Sequence, residues 1–206
     1  MRRFWLEKIF IALTIFFCMT GGNVNAAPFT ESQFDKIFTD VTKNPAAAPE
    51  SSATFDLNID TFKEKFNGFV APFLKQSLGV DDISAFEHLF MIKTYKVFPN
   101  AGGDTFANVF GTKNPNVAIV GVTVPNGGNF KVLQCCYTTP EDNDEIFAAQ
   151  LALAAFVHCV APDVEVPTLM SELIAENSSG SVTKNGVKFS IAEDGNLNML
   201  TAVKFN

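Results

Sequence analysis

The sequence predicts an α+β fold, a mainly antiparallel curved sheet with helices on one face and a central apolar helix at 141–160. Three observations predict it. Valine-rich runs at Val117–Val124 and Phe130–Tyr137 flank Pro125-Asn126-Gly127-Gly128-Asn129, which is antiparallel-hairpin chemistry. The stretch 141–160 carries Ile146, Phe147, Leu151, Leu153, Phe156, Val157 and Val160 with alanines between them. Between Ile146 and Val160 only Gln150 and His158 are strongly polar, and a helix apolar nearly all round must be covered on most faces. Finally, Asn185-Gly186 and Asp194-Gly195 suit tight primed turns, so the chain closes on a further hairpin or meander.

Composition permits such a core. Hydrophobic residues make up 47% of 206, which excludes global disorder and suffices for one sizeable domain or two small ones. Phe, at 22 copies against 2 Tyr and 1 Trp, favours apolar packing over hydrogen-bonding aromatic surfaces.

Residues 1–26 read as an export signal peptide. Arg2, Arg3 and Lys8 form a basic start, Ile9–Phe17 is a short apolar run, and Val24-Asn25-Ala26 places the cut after Ala26. The run is too short for a stable membrane span. A twin-arginine signal fits less well because Glu7 breaks the pattern, and a lipid anchor at Cys18 lacks the small residue wanted before it. Losing Arg2, Arg3, Lys8 and Glu7 leaves 12 Lys plus Arg against 21 Asp plus Glu, a net charge of −9. Such a surface repels phosphate backbones, so no nucleic-acid partner is expected, and no membrane span after cleavage.

Residues 27–53 read as an N-terminal helix and a Pro/Ala-rich linker, and 54–206 as a single α+β domain. In the first helix, Phe29–Thr42, Thr30 and Gln33 have capping-box spacing. Phe34, Ile37, Phe38 and Val41 form one buried stripe. Pro45, Pro49 and the alanines between them give Asn44–Ala53 linker composition. Phe55–Ile59 is a short strand or an extended lead-in, and Asp60 caps a helix bearing Phe62, Phe66, Phe69, Val70 and Phe73, with a kink or break at Gly68 and Pro72. Ile83–Phe90 is ambiguous between helix and strand. Alternation over Met91–Phe98 predicts a strand, whereas Asp104–Phe110 has no assigned type. Thr139 caps the apolar helix with Pro140 in its first turn, and Pro162 ends it. A further helix begins at Pro167 with Leu169, Met170, Leu173 and Ile174 inward. Val187, Phe189 and Ile191 alternate with polar neighbours, and Leu197–Phe205 is the last strand.

Few residues point to chemistry. Cys135, Cys136 and Cys159 remain after cleavage, and an oxidising compartment favours a disulfide. Adjacent strand residues face opposite ways, so one of the pair looks at the helix carrying Cys159; the expectation leans to Cys136–Cys159, with Cys135 as the alternative. A Cys–His nucleophile would join Cys135 or Cys136 to His158, but neither a glycine-rich nor an oxyanion-type motif accompanies it. The more ordinary role of His158 is to stabilise the last carbonyls of its helix, and His88 reads as a surface residue. The acids Glu141, Asp142, Asp144 and Glu145 run straight into a helix, which suits its dipole better than calcium. Asn177-Ser178-Ser179 matches a glycosylation acceptor.

The expected function is an exported non-enzymatic binding or interaction domain, periplasmic or extracellular, with a protein or small-ligand partner. No catalytic residue, cofactor or metal is expected. The alternatives are a small thiol-dependent enzyme using Cys135 or Cys136 with His158, and an envelope assembly protein held to its partner by the first helix.

Overall fold

The computed structural model describes residues 32, 33, 35, 53–99, 103–111, 116–126, 128–140, 142–175 and 180–205. The export signal, nearly all of the linker and the Asn177-Ser178-Ser179 acceptor lie outside these. Of the first helix, Ser32, Gln33 and Asp35 are described, and they are helical.

The elements run α1 (Ile59–Leu78), α2 (Glu87–Phe90), β1 (Lys96–Phe98), β2 (Thr105–Phe110), β3 (Val117–Thr123), β4 (Phe130–Thr138), α3 (Asn143–Val160), α4 (Val166–Ala175), β5 (Ser181–Lys184), β6 (Val187–Asp194) and β7 (Leu197–Lys204). The seven strands form one sheet in the order β1-β2-β3-β4-β7-β6-β5, and every neighbouring pair is antiparallel. The α+β class is therefore as expected. The β3–β4 hairpin pairs Val117 with Tyr137 and Val122 with Val132, then shifts register after Val122. The first of the two closing turns follows its dipeptide: Asn185 and Gly186 both take positive φ, 50° and 75°, as a type I′ turn requires. The second is displaced by one residue from the expected Asp194-Gly195: Asp194 still pairs with Leu197 in the ladder, so the turn is Gly195-Asn196, with positive φ at Gly195, 61°.

Several helix and strand ends differ from expectation for local reasons. The cap of α1 is Asn58, whose side chain accepts from the Thr61 amide at 2.9 Å while Thr61 Oγ1 accepts from the Asn58 amide at 2.9 Å. Asp60 lies inside the first turn, and the helix continues through Gly68 and Pro72 to Leu78 without the expected break. The cap of α3 is Asp142, accepting from Asp144 and Glu145 amides, each at 3.0 Å. Thr139 instead donates its amide to Asn196 O at 2.8 Å, tying β4 to the β6–β7 turn. In α4, Leu169, Met170 and Leu173 are buried as expected, but Ile174 is exposed.

The strand expected over Met91–Phe98 shrinks to its last three residues. Asn67 on α1 accepts from the Ile92 amide at 2.8 Å and donates to the Ile92 carbonyl at 3.0 Å. Both backbone groups of Ile92 are thus used, and Met91 and Ile92 serve as core residues instead of ladder residues.

Buried apolar side chains form two clusters. The larger joins Phe62, Phe66, Leu74, Leu153, Phe156 and Leu169 of the helices to Phe106, Ile119, Leu133, Phe189 and Leu200 of the strands. Thirteen residues of α3 are buried. Phe62, Phe106 and Phe130 meet edge-on at centroid separations of 5.8 to 6.3 Å. The smaller cluster contains Ala107, Ala118, Val120, Val122, Val132, Cys136, Leu197 and Met199, all from strands.

Candidate functional site

The two edges of the sheet differ chemically. At one edge, β5 is polar: Ser181 and Thr183 are exposed, and Lys184 pairs with Glu172 at 2.7 Å. At the other edge, β1 is the outermost of the described strands, paired with β2, and all three of its residues are exposed. Val97 is 40% exposed and Phe98 44%, and Tyr95 just ahead of the strand is 37% exposed. These are three of the six exposed large hydrophobic side chains among the described residues.

The chain around this edge is held firmly. The Asn67 clamp on Ile92 anchors it to α1. Asn108 Nδ2 of β2 donates to the Thr94 carbonyl. The Tyr95 ring packs on Phe106 at 5.3 Å, its hydroxyl reaches Asp60 Oδ1 at 3.4 Å, and Lys63 Nζ lies 5.6 Å from its centroid. Lys93 is paired with Glu87. The edge thus offers a fixed aromatic anchor, two further apolar side chains and strand backbone. Sequence alternation marked the apolar residues here, but their exposure follows from β1 being outermost, which no local pattern reveals.

The cysteines are elsewhere. Cys135, Cys136 and Cys159 are buried thiols, and the expected Cys136–Cys159 bridge is not formed. The reason is strand alternation. Cys135 joins the cluster that contains Cys159 and the helices, while Cys136 belongs to the all-strand cluster on the opposite face. Burial raises the Cys135 thiol well above its ordinary range and pushes Cys159 up to about 12, against the opposing charge of Lys65. A nucleophilic thiol needs the opposite shift.

His158 differs from these thiols in its surroundings. It is exposed on α3 with its ring 4.8 Å from that of Phe69, and partial burial followed by the nearby Lys65 charge holds its imidazole below the ordinary value. His88 is exposed on α2. Tyr137, fully buried among Cys135, Cys136 and Glu193, is held protonated mainly by burial. Asp142 is engaged by backbone amides as a helix cap. Among the described residues no group of three or more His, Cys, Asp or Glu side chains could hold a metal ion, and no helix is long and apolar enough to cross a membrane.

A shallow depression beside α4 is lined by Pro167, Thr168, Ser171, Glu172 and Ala175. Its polar groups are engaged: Ser171 donates to the Pro167 carbonyl at 2.9 Å, Thr168 to Glu165 at 3.4 Å, and Glu172 pairs with Lys184. The β1 edge is therefore the stronger candidate surface. No protein-family profile, curated protein or solved structure matches this chain.

Proposed function

We propose that the chain is an exported, non-enzymatic binding domain, periplasmic or extracellular, that accepts an extended segment of a protein partner along β1. In this reading residues 54–206 form one domain, its helices gather on one face of a curved sheet, and the 141–160 helix is the rod at its centre.

The supporting observation is the apolar edge: Tyr95, Val97 and Phe98 are each more than a third exposed at β1, the outermost of the described strands. An extended peptide can satisfy such an edge with its own backbone, while alternate side chains meet Tyr95 and Val97 on one side and Phe98 on the other. Natural sheets usually blunt an open edge with charge or polarity, as β5 does here. Against the thiol-enzyme alternative stand the burial and raised pKa of Cys135 and Cys159 and the outward placement of His158.

The test is selection from a displayed library of random short peptides, followed by binding to the double variant Val97→Asp/Phe98→Asp. Peptides should be recovered, and the variant should bind them roughly 10- to 100-fold more weakly while keeping its far-UV spectrum and melting temperature. Equal binding by the variant, or no recovered peptide, overturns the proposal.

A further inference from the structure

The all-strand cluster poses a question of coverage. Register places Ala107, Ala118, Val120, Val122, Val132, Gln134, Cys136, Thr138, Leu197, Met199 and Thr201 on one face. Cys136 and Val132 are 0% exposed, Val120 1% and Met199 4%. No helix of the larger cluster contributes to this one. Valines on a bare sheet face lie open to solvent, so their burial requires a covering segment. The cover is narrow: on the same face of β6, Lys188, Ala192 and Asp194 are exposed.

Hydrogen bonds at two places fix the described residues on either side of such a segment. Gln33 Nε2 donates to Asn196 Oδ1 at 2.6 Å, at the end of β4 where the Thr139 amide meets the Asn196 carbonyl. The chain re-enters at the opposite end, where the Phe55 amide donates to Phe130 O and the Phe130 amide to Leu57 O, each at 2.8 Å. These two points lie at opposite ends of β4, about 27 Å apart at the rise of a strand. The helix expected over Phe29–Thr42 would cover about 14 Å beyond Gln33, and the Asn44–Ala53 linker is long enough for the rest. The face with the larger cluster is filled by α1 and α3. A helix is about 10 Å wide, matching the span from β3 across β4 to β7.

We propose that this face is a docking surface for the chain's own N-terminal segment 29–42, whose Phe34, Ile37, Phe38 and Val41 stripe seats on Val120, Val132, Cys136 and Met199. The Pro/Ala-rich linker then acts as the tether of an intrachain cover over a second apolar surface, separate from the β1 edge.

The thiols supply an internal control, because Cys136 lies under the proposed cover and Cys135 and Cys159 do not. In protein purified after expression of the full-length chain, all three thiols should resist alkylation. In Phe34→Asp/Phe38→Asp, Cys136 should react at least about tenfold faster while Cys135 and Cys159 stay protected. Reactive Cys136 in the unaltered protein, protection lost on dilution (a second copy as the cover), or protected Cys136 in the variant overturns the proposal. Should the variant unfold and expose all three thiols, a second variant decides. In Gln33→Cys/Asn196→Cys, a short bifunctional maleimide should join the two new cysteines within one chain, and a link between chains or no link overturns the proposal.

Discussion

Alkylation of Cys135 under native conditions separates a thiol enzyme from a binding domain, and Cys159 sets the scale of protection that burial gives. The reacting species is the thiolate. At pH 8 a thiol with the ordinary value of 9.0 is about one-tenth ionised, whereas Cys159, pushed up to about 12, is ionised in roughly one molecule in ten thousand. This alone slows the reaction about a thousandfold. The side chain is also 3% exposed, and Cys135, with its thiol raised further by burial alone, is 0% exposed. Labelling should therefore proceed through opening of the fold and should accelerate with added urea in step with unfolding. The assay is timed iodoacetamide labelling at pH 8, with each cysteine peptide quantified by mass spectrometry against the urea-unfolded chain. Modification of either native thiol at a rate within about tenfold of the unfolded chain refutes the burial argument, and at Cys135 it also revives the catalytic thiol.

Two further expectations concern the core and its pH dependence. A β-carbon at Gly121 would lie 2.7 Å from both Phe130 Cε1 and Leu133 Cδ2, and the Phe130 ring is confined by Phe62 and Phe106. Gly121→Ala should cost about 1–3 kcal/mol alone and clearly less in a Phe130→Ala background, by urea denaturation; additivity within about 0.5 kcal/mol refutes the clash. His158, held below the ordinary 6.5 by burial and then by Lys65, takes up its proton later in the folded than in the unfolded chain. Its contribution is therefore complete above about pH 6.5 and is lost as pH falls toward the folded value, so stability measured between pH 7 and 5 should decline more in the native protein than in His158→Gln. An equal or steeper decline in the variant contradicts the sign.

Turn chemistry and periodicity carried much of the fold in the sequence itself. Asn185-Gly186 has the positive φ angles that its dipeptide favours, the valine-rich runs pair as a hairpin, and the apolar stretch before Pro162 is a largely buried helix. These are legible because turn conformation and side-chain period are set by residues a few positions apart. What required the tertiary structure depends on distant partners. Ile92 leaves the ladder because Asn67, 25 residues away, takes both its backbone groups. Thr139 fails to cap α3 because the β6–β7 turn accepts its amide, leaving that role to Asp142. Alternation showed that Cys135 and Cys136 face opposite ways, but only the packing of α3 on one side decided that Cys135, and not Cys136, shares a core with Cys159. The apolar edge has the same origin: Val97 and Phe98 resemble any buried strand residues until strand order makes β1 outermost. Burial and exposure are properties of neighbours brought together by folding, and a one-dimensional pattern records a residue's period without recording what lies beside it.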